Sequence, residues 1–333
     1  MAGKIKEFFV NILPGPIVRL FARPYVAGLG MEAGLKTARK IYEEEGVYTT
    51  LDLLGEAVYS RELVERNVRY YKQLLDLINK ENAQKFATVS LKLSSLGIHE
   101  SKEYCVQNLE EILNHADKYG IPITIDMEDS NFTDVTLEIY RELLPKHPTL
   151  GTVLQTMLFR TEKDVKEFPD HSRVRLVIGI YKEPPEIAYQ DKKIMHQKML
   201  EYAKQLLERD IYIEFGTHNE KTIREMLAYL KKTPPKGKPH NERFEFQMLL
   251  GVPRDKIVKE IQQEGYIVRK YVPFAMDWED GTAYLKRRML ENDHLMWYVL
   301  KNLLSNKWIQ TLIAIIGIGV IGWLLYYFNV FKF

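Results

Sequence analysis

Apolar positions along the main body of the chain follow two alternating patterns. Short runs rich in valine, isoleucine and leucine are separated by longer charged stretches in which apolar residues recur with helical period. The short runs predict strands near 51–54, 87–93, 121–126, 152–157, 174–179, 211–215, 244–249 and 267–272. The charged stretches predict helices that include 61–79, 102–119, 134–144, 192–209, 220–232 and 255–264. Eight such alternations favour an α/β fold, a distorted (β/α)8 TIM barrel, over an open doubly wound sheet.

The C-terminal end has a different pattern. Residues 308–331 carry no charge, and a helix of that length would extend about 36 Å, against about 30 Å for the hydrocarbon of a lipid bilayer. This predicts a C-terminal single-pass transmembrane helix, with a buried helix or one that covers a partner as the alternatives. The predicted organisation is an N-terminal helical arm over 1–50, a barrel over 51–305 and a membrane span over 308–331.

Charge and cysteine content exclude several classes of protein. The 47 Lys and Arg residues nearly balance 45 Asp and Glu, and the resulting net charge of +2 argues against a strongly basic nucleic-acid binder. The single cysteine, Cys105, excludes an internal disulfide framework and a cysteine-based zinc cage, and it suits a reducing compartment. Because the N-terminal stretch does not form a clear signal peptide, we expect the body to be cytoplasmic and membrane-anchored by the C-terminal helix.

Polar side chains stand near the predicted ends of the strands, where the chemistry of a (β/α)8 barrel is located. These residues are Glu56, Lys92, Asp126, Glu128, Gln155, Arg175, Thr217, His218, Asn219, Glu245, Gln247 and Tyr271. Of the eight histidines, His218 alone lies at such an end, so we predict no metal site. No glycine-rich phosphate loop and no GxSxG motif is present. The mixture of cations, amides and hydroxyls suits an organic cofactor and a small carboxylate.

Two adjacent arginines follow the last predicted strand. Arg287 and Arg288 would point about 100° apart on a helix, so one could reach inward while the other forms a shelf beside it. Bidentate contacts between arginine and carboxylate are strong and directional, so this pair could clamp a substrate carboxylate. The alternative is a solvated basic helix face that pairs with Glu291.

The stretch 269–274, Arg-Lys-Tyr-Val-Pro-Phe, followed by Trp278 and by Tyr-Leu-Lys-Arg-Arg at 284–288, closely resembles the signature of the proline dehydrogenase family of flavin-dependent proline oxidases. Further motifs occur upstream in the family order. They are Leu54-Gly55-Glu56, Ser90-Leu91-Lys92-Leu93-Ser94, Ile125-Asp126-Met127-Glu128, Val174-Arg175-Leu176-Val177, Gly216-Thr217-His218-Asn219 and Phe244-Glu245-Phe246-Gln247-Met248-Leu249. The resemblance covers about 51–292 and excludes the tail.

The resemblance implies a monofunctional enzyme that oxidises L-proline to 1-pyrroline-5-carboxylate with FAD and passes electrons to a membrane quinone. It implies a catalytic set of Lys92, Tyr271, Arg287, Arg288 and Glu56. It implies a substrate-binding set in which Lys92, Arg287 and Arg288 hold the carboxylate and Leu249, Tyr271 and Tyr284 lie at the ring. It implies a cofactor-binding set of Asp126, Gln155, Arg175, Val177, Gly179, Thr217, His218 and Glu291.

One segment departs from the family pattern. Ile178-Gly179-Ile180-Tyr181 stands where the family usually has Lys-Gly-Ala-Tyr, so a charge is lost and bulk is added on the side expected to face the flavin. Two other functions therefore remain open. One is a flavoenzyme for a related cyclic amino acid such as hydroxyproline, and the other is a non-catalytic barrel that acts as a membrane-anchored binding protein.

Overall fold

The structure, a computed structural model, describes residues 10, 18, 24–55, 58–233 and 239–291, without the side chains of residues 283, 287–289 and 291. The chain divides into two units, one over Arg23–Gly281 and one that combines Met1–Ala22 with Thr282–Phe333. No helix among the described residues is both long and apolar enough to cross a membrane. The predicted span at 308–331 lies outside the described residues.

Eight parallel strands close into a barrel in the order of the sequence. They are β1 (Tyr48–Leu53), β2 (Ala87–Leu91), β3 (Ile123–Ile125), β4 (Gly151–Gln155), β5 (Arg173–Val177), β6 (Tyr212–Gly216), β7 (Phe244–Leu249) and β8 (Ile267–Phe274). Pairing of β1 with β8, in which Thr50 lies opposite Tyr271, completes the ring. The predicted (β/α)8 fold is confirmed for this unit.

Nine helices are described. They are α1 (Met31–Glu45), α2 (Arg61–Lys80), α3 (Lys102–Asp117), α4 (Ser130–Leu143), α5 (Thr161–Lys166), α6 (Lys192–Leu207), α7 (Glu220–Lys232), α8 (Asp255–Gln263) and α9 (Trp278–Glu291). Six of them overlap the helices predicted from periodicity. The short α5 has less than two turns, too few for a helical pattern to stand out in the sequence.

Helix α1 belongs to the barrel unit, although it lies within the segment 1–50. Its buried residues Met31, Leu35, Ala38 and Ile41 recur at intervals of three or four, so they form one apolar face. This face packs on β1 and β8, the two strands at the seam of the barrel. Helix α1 thereby covers the place where the ring closes.

Several predicted strands run past the observed ends. The run 87–93 stops at Leu91 because Leu93–Ser95 form a 3-10 turn, and the run 152–157 stops at Gln155. The residues beyond these ends are still apolar because the loops are themselves buried: Leu93 lies in the main core, and Met157 packs with Leu158 in a smaller cluster. Hydrophobicity marks burial here, and the hydrogen-bonded strand is shorter than the buried segment.

Candidate active site

The interior of the barrel contains eight charged side chains in close contact. Side chains alternate between the two faces of a strand, so residues two apart, such as Arg173 and Arg175 in β5, both point inward. The described interior set is Asp52, Lys92, Asp126, Arg173, Arg175, Glu214, Glu245 and Arg269, each with a side chain at most 13% exposed. Four cations meet four carboxylates, so the set is neutral when all eight are ionised. Buried charges are tolerated only when paired in this way.

The lower part of this set lies toward the N-terminal ends of the strands. Arg269 donates from Nε and Nη2 to the two carboxylate oxygens of Glu245, at 2.6 and 3.1 Å. Tyr212, the first residue of β6, donates its hydroxyl to Glu245 Oε2 at 2.9 Å. Burial, together with the Glu245 charge, raises the pKa of Tyr212, so its hydroxyl stays protonated. Glu245 does not stand at a strand end, where its sequence predicts it to be: it is the second residue of β7 and belongs to the lower part of the set.

Glu214 connects the lower and upper parts. Its Oε1 lies 3.3 Å from Arg173 Nε, and its Oε2 accepts a hydrogen bond from Arg175 Nε at 3.1 Å. Burial alone would raise the pKa of Glu214, but Arg173, Arg175 and Arg269 outweigh it, and the pKa is lowered. Gln247 Nε2 adds hydrogen bonds to Glu214 at 2.7 Å and to Glu245 at 2.6 Å. Glu214 therefore stays ionised, fixed from both sides.

Arg175 is the cation at the centre of the barrel. Its Nη1 donates to Asp126 Oδ1 at 2.6 Å, and its Nη2 donates to Ser90 Oγ at 3.2 Å. The guanidinium carbon lies 5.4 Å from the centroid of the Tyr271 ring, within the range of a cation–π contact. Burial would lower the pKa of Arg175, but Glu214 and Asp126 raise it above its usual value. Arg175 therefore brings a permanent positive charge into the upper barrel.

Asp126 gathers three donors at the C-terminal end of β3. Besides Arg175, it accepts the hydroxyl of Tyr271 at Oδ2, and Lys92 Nζ lies 3.5 Å from the same oxygen. Lys92 also donates to Asp52 Oδ1 at 2.8 Å. Burial, then the charges of Asp126 and Asp52, raise the pKa of Tyr271 well above its usual value. Tyr271 consequently remains a neutral hydrogen-bond donor with an apolar ring face.

Gln155 offers an acceptor that nothing described here uses. Its Nε2 donates to the carbonyl of Glu128 at 2.7 Å, which fixes the orientation of the amide and identifies the other atom as oxygen. That oxygen is buried and has no hydrogen-bond partner within the described residues. Buried polar atoms are nearly always satisfied, so an orphaned acceptor at a barrel mouth suits a ligand that carries an N–H or O–H group.

Gly179 and Val177 line the same region. Val177 ends β5, and Gly179 follows it with φ +97°, a conformation that favours glycine. Ile178 packs between the main core and the Met157 cluster, whereas Ile180 is 43% exposed. The apolar residue at 178 thus has packing contacts of its own.

His218 and Thr217 follow β6. His218 Nε2 accepts a hydrogen bond from the backbone N–H of Leu249 at 2.9 Å, so the ring supports the end of β7. Thr217 Oγ1 accepts from the backbone N–H of Asn219 at 3.2 Å. These contacts hold the loop after β6 beside Leu249, which is partly exposed at the end of β7.

Several predicted residues cannot be placed relative to this set. Glu56 lies outside the described residues, as do the side chains of Arg287, Arg288 and Glu291. Tyr284 lies on α9 in the second unit. Within the described part of the chain, no group of three His, Cys, Asp or Glu residues could hold a metal ion.

The sequence analysis missed Asp52, which stands beside Lys92. The signal that could have found it is a buried-strand sequence, Thr-Thr-Leu-Asp-Leu, in which an acid occupies an inward position two residues after Thr50. An acid at that position needs a buried cation, and Lys92 at the end of the neighbouring strand supplies one.

Comparisons with known proteins agree on one family. The family model for proline dehydrogenase matches residues 34–296. The chain is 34% identical over 288 residues to proline dehydrogenase 1 of Bacillus subtilis (strain 168), covering 86% of this chain and 92% of that protein. It is 33% identical over 291 residues to proline dehydrogenase of Deinococcus radiodurans, covering 85% and 90%.

A solved structure is similar as well. Proline utilization A from Bdellovibrio bacteriovorus, inactivated by N-propargylglycine, superposes with a TM-score of 0.73 at 27% identity. The match covers 82% of this chain and 32% of that one, so this chain spans about a third of that protein's length.

The surroundings of Gly179 give a testable prediction. A Cβ added there would lie 2.5 Å from Met157 Sδ and 2.8 Å from Gln155 Oε1, whereas one added at Gly120, which also has positive φ, would meet nothing within 4 Å. We expect Gly120→Ala to cost about 1 kcal/mol from backbone strain alone. Gly179→Ala adds contacts with the ends of two flexible side chains, which have to shift, so we expect a total of about 2 kcal/mol. Thermal unfolding of both full-length variants measures this, and equal losses of stability would contradict the close packing at Gly179.

Proposed function

The chain belongs to the proline dehydrogenase family, and on that premise we propose that it oxidises L-proline to 1-pyrroline-5-carboxylate with bound FAD and passes the electrons to a membrane quinone. The observation that carries this proposal is the arrangement around Asp126. Two buried cations, Lys92 and Arg175, and the Tyr271 hydroxyl converge on its carboxylate at the C-terminal end of the barrel. Family resemblance assigned these four residues to substrate and cofactor, and the fold brings all four together.

The described residues fit a flavin. The orphaned Gln155 oxygen suits the imide N–H of an isoalloxazine ring, and Arg175 supplies a fixed positive charge nearby through the shared Asp126 network. Val177, Gly179, Thr217 and His218 are the further residues that would hold the cofactor, with Glu291 from α9. FAD would supply the acceptor for the hydride of proline. The charge of Arg175 would stabilise the negative charge that reduction develops.

The substrate carboxylate would be held by cations. Lys92, Arg287 and Arg288 would bind it, and Glu56 would pair with Arg287. The ring would pack on Tyr271 and Leu249, with Tyr284 near it. Clamping the carboxylate at one end fixes the position of the ring carbon at the other, which is the positioning that hydride transfer requires.

The same cations would affect the amine of the substrate. Proline is an ammonium ion in neutral water, and a hydride leaves more readily when the amine is neutral. Positive charges close to the bound substrate lower the pKa of its amine. Lys92 and the arginine pair would therefore favour the reactive form as well as bind the carboxylate.

The uncharged segment 308–331 suits the proposed acceptor. A quinone is dissolved in lipid, so an enzyme that reduces it must meet the bilayer. We propose that this segment anchors the chain in the membrane and keeps the barrel, on the cytoplasmic side, at the surface of the lipid.

Flavin reduction tests the proposed activity. We expect the full chain, purified in detergent, to show a flavin absorption spectrum and to lose the visible band of the oxidised flavin on anaerobic addition of L-proline. D-proline is the matched control, because it has the same charges and ring but the opposite hand at the carbon that the carboxylate clamp fixes. A chain that retains no flavin colour after incubation with FAD and removal of the unbound FAD would contradict the enzymatic proposal and favour a non-catalytic barrel. Bleaching by hydroxyproline but not by L-proline would instead identify the related cyclic amino acid as the substrate.

Truncation tests the anchor. A chain that ends at Lys307 should leave the membrane fraction yet keep its L-proline activity with a soluble dye as acceptor, since the segment 308–331 contributes no residue to the proposed site. Its activity with a membrane quinone should fall by a larger factor than its dye activity. If the truncated chain still sediments with membranes, another part of the protein is the anchor.

A further inference from the structure

Asp52 is a buried carboxylate that the proposed chemistry does not yet use. It lies in β1 and is 1% exposed, and its Oδ1 accepts a hydrogen bond from Lys92 Nζ at 2.8 Å. Lys92 follows β2, and its second carboxylate neighbour, Asp126, follows β3. The strand order β1-β2-β3 therefore places one acid on each side of the lysine.

Asp52 and Asp126 are the two carboxylates beside the Lys92 ammonium among the described residues. A lysine has four flexible side-chain bonds and a compact charge, so its position is set by its partners. Of the two acids, Asp126 makes the longer contact with Lys92, since its Oδ2 lies 3.5 Å from Lys92 Nζ. The same oxygen accepts a hydrogen bond from the Tyr271 hydroxyl, and Oδ1 accepts one from Arg175. Asp52 makes the shorter contact, at 2.8 Å.

We propose that Asp52 is a positioning residue of the proline site: it holds the Lys92 ammonium where that group meets the carboxylate of the substrate. This inference rests on the proposed function. Asp52 itself contacts Lys92 and does not need to touch proline or flavin.

The opposite electrostatic role makes an opposite prediction. If Asp52 acted only as a negative charge near the site, it would repel the substrate carboxylate, and its removal would tighten binding. If Asp52 positions Lys92, its removal lets the ammonium turn toward Asp126 and away from the substrate, so binding weakens. The sign of the change therefore decides between the two.

The test is Asp52→Asn in the full chain with bound flavin. We expect the KM for L-proline to rise about tenfold, the effect of one charged hydrogen bond, with kcat changed less than threefold. The dissociation constant of cyclopentanecarboxylate, which keeps the ring and the carboxylate but cannot be oxidised at an amine, should rise by the same factor. It is measured from the change in flavin absorbance on titration. An unchanged or lower constant for either compound overturns the inference, as does a loss confined to kcat.

Asp164→Asn is the matched control. Asp164 is also a buried carboxylate with a cation 2.8 Å away, Arg160 Nε, but it lies on α5 outside the barrel interior. We expect it to lower thermal stability by an amount similar to that of Asp52→Asn and to leave both binding constants unchanged. Equal binding losses in the two variants would mean that Asp52 acts through general stability only.

Asp52→Glu distinguishes the effect of the position of the carboxylate from the effect of its charge. It also replaces Asp52→Asn as the test if that variant does not fold. It keeps the negative charge but moves the carboxylate by one methylene, so positioning predicts weaker binding of both compounds. Unchanged binding in Asp52→Glu overturns the inference. If L-proline does not reduce the flavin of the wild-type chain, the proposed function itself is contradicted. If the wild type is active and the Asp52 variants bind both compounds as the wild type does, this inference alone is contradicted.

Discussion

The structure depends on the mutual neutralisation of charges inside a closed barrel. Moving an ion from water into a protein interior costs several kcal/mol, and the loss of one member of a buried pair strands its partner. The described interior set avoids this cost because each cation lies beside at least one carboxylate, in most cases from a neighbouring strand. Arg175, itself in β5, contacts Ser90 in β2, Asp126 after β3 and Glu214 in β6, so this one side chain connects four strands. The interior charges are therefore a constraint on the relative position of the strands as well as a source of chemistry.

This constraint divides the interior into two functional levels. Arg269, Glu245 and Tyr212 satisfy one another toward the N-terminal ends of the strands, and nothing in their contacts calls for a ligand. At the other end, Lys92 and Gln155 lie next to the loops, and the Gln155 oxygen is left without a partner in the described part of the chain. Glu214 connects the two levels, because it contacts Arg173 below and Arg175 above, and the proposed hydride transfer would need side chains held in such fixed positions.

The sequence predicts most of the barrel because each buried strand is a short apolar run and most of the helices show helical period. It also indicated Lys92 and Asp126, charged residues that directly follow apolar runs, and the family motifs marked Arg175 and Tyr271, which lie inside β5 and β8. It did not indicate Asp52, which lies inside such a run, because one strand does not reveal which side chain of the neighbouring strand lies beside it. The predicted strands extend past the observed ends where a buried loop continues the apolar run. The register of the strands and the contacts between their side chains depend on all eight strands together, so the sequence of one strand does not predict them.

We propose that the acids beside Lys92 hold its ammonium in the position where a substrate carboxylate would bind it. A crystal structure of the flavin-loaded full chain with cyclopentanecarboxylate tests it most directly. We expect Lys92 Nζ to contact the ligand carboxylate while it keeps its hydrogen bond to Asp52 and its place beside Asp126. A ligand carboxylate bound away from Lys92, or a Lys92 that has left both acids, would contradict it.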